Sequence, residues 1–161
     1  MLRLAPLALA AALLAAPGRA DAQGRPFGLG VILGNPTGIS AKAYLARAHA
    51  IDAAVGAAFL HGSGLHIHAD YLWHPVILAE DEAFTLPLYI GIGGRMLIRG
   101  REGIQGDKFH LGPRVPVGFL FDFKQIPIDV FVEVALIVDV IRTAGDDVID
   151  VNGGIGVRYY F

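Results

Sequence analysis

The 161-residue sequence contains no cysteine, so it has no disulfide framework, no thiolate metal site and no cysteine-linked lipid anchor. Charge is also scarce: Asp, Glu, Lys and Arg make up 17% of the residues, with a net charge of −2. A chain so poor in charge and 54% hydrophobic cannot be intrinsically disordered, and nothing in it suggests binding to nucleic acid. Long hydrophobic runs are missing past the first 22 residues. The longest stretch there without a charged side chain, Ala53 to Ala69, carries His61, His66, His68 and three glycines. It cannot form a membrane helix. Glycine is plentiful instead, at 21 residues, beside nine prolines, which excludes a helical bundle.

The N-terminus reads as an export address. Met1-Leu2-Arg3 gives a positive start, and Leu4 to Ala16 is unbroken apolar sequence, too short to cross ~30 Å of hydrocarbon. Pro17-Gly18-Arg19 follows, and then Ala20-Asp21-Ala22, an A-x-A cleavage site. These are the three parts of a secretory signal peptide. The expected organisation is a signal peptide over 1–22 and a single domain over 23–161.

In that domain, period-2 alternation between turn-rich links predicts eight strands. They are Phe27–Leu33, Ile39–Ala46, Ile51–Leu60, Leu65–His74, Leu86–Arg99, Phe109–Phe121, Ile128–Ile141 and Ile149–Phe161. An eleven-residue link from Pro75 is expected between the fourth and fifth. The seventh strand shows the pattern best: Ile128, Val130, Val132, Val134, Leu136, Val138 and Val140 alternate with a face holding Asp129, Glu133 and Asp139. No charged residue falls on the apolar face of any of the eight.

Alternation does not say which face points inward, because a soluble lipocalin-like barrel and a membrane barrel are mirror cases. Three features favour lipid on the apolar side. The other face is crowded with small residues such as Gly28, Gly30, Gly91, Gly93, Gly118 and Gly156, which suit a narrow lumen. Apolar-face aromatics sit at strand ends: Phe27, Tyr71, Trp73, Phe119, Phe121, Tyr159 and Phe161 at one rim, Phe59 and Phe109 at the other. The strand number is even, and a signal peptide supplies the export route. The expected fold is all-β, a closed antiparallel eight-stranded up-and-down transmembrane barrel, acting as a monomer.

The last residues, Gly156 to Phe161, resemble the C-terminal assembly signal of bacterial outer-membrane proteins, with Phe161 preceded at alternate positions by Tyr159, Val157 and Ile155. Signal peptide, eight strands and terminal Phe together resemble the small barrels of the OmpA/OmpX type, across the whole mature chain. The resemblance implies the outer membrane of a Gram-negative bacterium, with membrane lipid and lipopolysaccharide as surroundings and the barrel-assembly machinery as a biogenesis partner. It departs from the type in two respects. No peptidoglycan-binding domain follows the barrel, so cell-wall tethering is not implied, and the outward loops are short. Pro87, Pro113 and Pro116 lie inside strands of a closed barrel, so bulges or shifted boundaries are expected there.

By parity the lumen receives Lys42, Arg95, Arg99, Arg114 and Arg158 with Asp52, Asp70, Asp129, Glu133, Asp139 and Asp150. An eight-stranded barrel is just filled by its side chains. The plain reading is a structural ion-pair plug; a network that rearranges would instead make a narrow channel. His66, His68 and Asp70, at i, i+2 and i+4 of one strand, form a metal-ligand candidate, against the reading that they are hydrogen-bonded lumen residues. Two further alternatives remain: a lipid-modifying outer-membrane enzyme and a soluble periplasmic binder. The lipid A deacylase family pairs a His with a nearby Ser, whereas Ala69-Asp70-Tyr71 follow the histidines here and the serines are only Ser40 and Ser63. Gly91-Ile92-Gly93-Gly94 lacks the lysine and helix of a phosphate loop. The reading is therefore a non-enzymatic barrel with a structural or surface-interaction role and no cofactor.

Overall fold

The computed structural model describes residues 25–59, 64–100 and 108–161. The signal-peptide assignment, Leu60, the turn at 61–63 and the link at 101–107 lie outside the described residues. The rest is all-β: β1 (Phe27–Gly34), β2 (Thr37–Ala46), β3 (His49–Ala58), β4 (Gly64–Glu80), β5 (Phe84–Arg99), β6 (Lys108–Phe123), β7 (Ile128–Val138) and β8 (Ile149–Tyr160). Each strand pairs antiparallel with the next, and β1 pairs with β8 to close the barrel.

The molecule is inside-out relative to a water-soluble protein. Arg95, Arg114 and Arg158 are among its largest fully buried side chains, each 1% exposed. Val134, Ile92 and Ile155 are 50% exposed or more. Strand alternation produces both faces at once, since successive side chains point to opposite sides of a sheet. Several lumen glycines take part in the packing by omission. Phe131 lies across its strand neighbour Gly156, where a Cβ would come within 2.3 Å of the ring; Tyr89 lies in the same way across Gly118. Together with Leu72, Leu120, Tyr44 and Tyr160, these rings form the apolar part of the lumen.

The expected link from Pro75 is corrected. β4 continues to Glu80 and β5 begins at Phe84, leaving only Asp81-Glu82-Ala83 as the turn. Two register shifts in the β4–β5 ladder, between Trp73 and Val76 and between Ile77 and Ala79, break the period-2 pattern. Val76, Ile77 and Leu78 therefore read as an unpatterned apolar run, although they lie within the strand, Val76 and Ile77 paired and Leu78 the extra residue at the second shift. β7 stops at Val138 rather than Ile141, and the remaining ends lie within two residues of expectation, five of them coinciding with it.

The prolines have separate explanations. Leu111 directs its N–H to Ile141 of the β7 side, so Pro113, two residues on, has its nitrogen facing the same way. The ladder to β7 ends beside it at Arg114–Ile137 and resumes at Leu111–Ile141 one residue out of register, which is a bulge. Pro116 faces β5 instead, and Pro87 faces β6, so both missing donors fall in the β5–β6 seam. Pairing lapses opposite each of them without a change of register: Ile90–Val117 and Gly93–Arg114 share one alignment. The expected bulge is thus absent at Pro116. Gly91 makes the room, since a Cβ there would lie 2.9 Å from the Pro116 ring.

Candidate functional site: a lumen filled by ion pairs

Because polar residues recur every second position on all the strands, their side chains meet on the barrel axis. Three arginines from three strands organise them into tiers. Nearest the chain termini, Arg158 on β8 donates through Nε to Asp129 Oδ1 on β7 at 3.1 Å and reaches Asp52 on β3 at 3.6 Å. Its guanidinium stacks on Phe131, 4.0 Å from the ring centre, and the Tyr160 hydroxyl donates to Asp129 Oδ2 at 2.5 Å. Lys42 meets His74 Nε2 at 3.0 Å, with its ammonium over the Tyr44 ring.

In the middle tier, Arg114 on β6 donates to Asp70 on β4 and to Glu133 on β7. Tyr89 completes the Glu133 carboxylate with a 3.0 Å hydrogen bond. At the far end, Arg95 on β5 donates to Asp139 at 2.6 Å and to Asp150 on β8. His110 bridges Asp139 and Asp146, 3.2 Å from each, and Lys108 donates to Asp146 at 2.6 Å. Each arginine thereby also reaches a strand that is not its sheet neighbour: Arg158 to Asp52, Arg114 to Asp70 and Arg95 to Asp150 cross the lumen, while Arg158–Asp129 and Arg114–Glu133 join adjacent strands.

Of the eleven lumen charges read from the sequence, nine are buried; Arg99 and Asp150 sit half-buried towards the far rim. Sequence reading missed Tyr89, Tyr160, His110 and Asp146 as partners. The three strand residues among them share parity with the named charges, which is the signal that would have found them; Asp146 lies between strands, where parity does not reach. Asp146 is held below the usual carboxylate range, chiefly by its hydrogen bond from Lys108.

A cavity lies at each end of the network. The one at the far end, about 520 Å³, is lined by charged groups including Arg99, Lys108, His110, Asp146 and Asp150. The one near the termini, about 630 Å³, is more apolar, with Tyr44, His74, Ile77, Pro87 and Asp122 in its wall.

The candidate metal ligands are rearranged. His66 turns its Nε2 to His68 Nδ1 at 3.1 Å. Among the described residues, the trio whose ligand atoms come within 4.8 Å of one another is Asp52, His68 and Asp70, so the neighbouring strand β3 supplies the third member in place of His66. The proposed assembly-signal residues Ile155, Val157, Tyr159 and Phe161 line the outer face at the closing seam, all exposed, with the rings of Tyr159 and Phe161 5.1 Å apart.

No protein-family model matches the sequence, and no curated protein does. Two solved structures are similar in fold. The N-terminal β-barrel domain of Pseudomonas aeruginosa OprF aligns over 85% of this chain and 98% of that domain, with a TM-score of 0.65 and 12% identity. Ail, the attachment invasion locus protein of Yersinia pestis, aligns over 84% of this chain and 97% of its own, with a TM-score of 0.48 and 12% identity. The fold is that of the small eight-stranded outer-membrane barrels, the OmpA/OmpX type.

Proposed function

We propose that this chain is a monomeric bacterial outer-membrane protein whose barrel is closed by its own ion pairs and serves as a structural or surface-interaction element. The observation that carries this reading is the placement of Arg95, Arg114 and Arg158, each 1% exposed and each reaching a carboxylate across the lumen. A buried ion pair persists only when its partners satisfy one another, because each isolated ion costs several kcal/mol to bury. Such a network resists the opening that solute passage needs. The apolar outer face supports lipid and lipopolysaccharide as its surroundings. The alternation ending at Phe161 supports delivery by the barrel-assembly machinery after signal-peptide removal. A hydrolytic role is not part of this reading; Ser40 is buried opposite Gly30 and Ala54, and Ser63 lies outside the described residues.

The test is planar-bilayer recording on the refolded barrel, after a gel with and without boiling shows the mobility shift of a detergent-resistant fold. A closed plug gives no steady conductance. One specific observation favours a second reading, a narrow channel: the two end cavities leave the three arginine tiers as the barrier between them. Steady conductance that changes on neutralising Arg95 or Glu133 would establish that reading and remove the first.

A further inference from the structure

We propose that the lumen holds a divalent metal ion of zinc size on Asp52, His68 and Asp70. Asp52 on β3 and Asp70 on β4 are direct cross-strand partners, an arrangement that places two like charges side by side. Both carboxylates, at 4% and 2% exposure, keep one oxygen, Oδ1, without any hydrogen-bond partner. His68, 3% exposed, brings its Nε2 to 4.0 Å from Asp70 Oδ2. The three ligand atoms lie within 4.8 Å of one another, so contraction by about an ångström reaches the mutual spacing of ligands bound at ~2.0–2.2 Å.

His66 prepares the third ligand. Its contact with His68 Nδ1 places a proton between the two rings; with His68 as donor, Nε2 presents its lone pair to the carboxylates. That is the arrangement by which a neighbouring group orients a metal-ligating imidazole. Arg114 and Arg158 leave one oxygen of each carboxylate without a hydrogen bond, although His68 approaches the Asp70 oxygen that Arg114 also uses. Arg114 uses Asp70 Oδ2, and Arg158 is directed to Asp129, with Asp52 Oδ2 at 3.6 Å. Each carboxylate can therefore bridge a guanidinium and a metal. The charge balance points the same way. Among the buried groups, five carboxylates (Asp52, Asp70, Asp129, Glu133 and Asp139) stand against Lys42, Arg95, Arg114 and Arg158, with His110 beside Asp139. Lys42, the cross-strand neighbour of Asp52 on its other side, turns its ammonium to His74. A cation held by Asp52 and Asp70 offsets the repulsion between these cross-strand neighbours.

The site is enclosed, so the experiment loads it during folding. The mature chain is refolded from urea into detergent with Zn²⁺ or with a chelator, desalted, and its metal content measured. Co²⁺ in place of Zn²⁺ gives a d–d spectrum that reports the ligand geometry. The expected result is one retained Zn²⁺ per barrel, lost in Asp52→Asn and in His68→Gln. His66→Gln, which keeps a hydrogen-bonding group beside His68, still binds one ion, weakened by about 10–100-fold. The boiling-dependent gel shift certifies that each variant has folded. Folded wild-type barrel without stoichiometric metal overturns the proposal. So does retention by Asp52→Asn, which would return the ligands to β4 alone. If Asp52→Asn does not fold, Asp70→Asn and the wild-type cobalt spectrum decide, and a spectrum of hexa-aquo type overturns the site.

Discussion

Gly28 on β1 lies directly beneath the ring of Tyr160, its partner on β8, and a Cβ at that position would stand 2.8 Å from two ring carbons. The ring is fixed there by its hydroxyl, which donates to Asp129 at 2.5 Å. This contact lies on the seam that closes the barrel. Gly28→Ala is expected to cost about 1–3 kcal/mol, the usual price of overpacking. Removing the ring in Gly28→Ala/Tyr160→Ala should make the glycine substitution much less costly. Urea unfolding of the four species in micelles measures the coupling, and strict additivity would show that the two residues do not share the space.

Arg114 neutralises two carboxylates from two strands. Arg114→Met strands Asp70 and Glu133 as buried charges, and a loss of about 3–5 kcal/mol is expected from breaking such a pair. The compensated variant Arg114→Met/Asp70→Asn/Glu133→Gln should recover most of it. A compensated variant as unstable as the single one would mean that volume, not charge, holds this tier.

Val134 sits midway along β7 on the outer face and is 58% exposed. If hydrocarbon surrounds that face, Val134→Lys should destabilise the barrel in phospholipid vesicles by about 2–4 kcal/mol, as a cation does at mid-bilayer. Lysine at Phe59, on the far rim, should cost less. Equal and negligible costs would place water, not lipid, on the outer face.

The segment between β7 and β8 is tied down by Asp146, which faces Lys108 and His110 of β6, with Arg99 of β5 nearby. Its carboxyl is held below the usual range, so its contribution is present at neutral pH and is lost as the pH falls below the ordinary carboxylate value of 3.8. A spin label on Thr143→Cys has no competing thiol in this chain. Its spectrum should sharpen on acidification, and Asp146→Asn should sharpen it already at pH 7. Spectra that stay the same in both cases would show that other contacts hold the segment.

Much of this was legible from side-chain parity. Strands such as β6 and β7 alternate over ten or more residues, so they fix which residues share a face wherever the ladder is regular. The run from Pro75 to Thr85 was illegible for the opposite reason. Two register shifts make Val76, Ile77 and Leu78 lose their alternation while remaining strand. The Asp52–His68–Asp70 grouping was half-visible: the two β4 members stand at i and i+2, but Asp52 reaches them only through the register of β3 against β4.

By itself, then, the sequence determined the number of strands, the charge-free face and most of the lumen ions, because these follow from a local period of two and need no knowledge of neighbours. The tertiary structure alone decided which ion meets which. Arg158 reaches Asp52 from three strands away, and Arg114 joins Asp70 to Glu133, only because closure of β1 on β8 folds the polar face around one axis. Pairing across a lumen depends on stagger and closure, and neither is a property of any single strand.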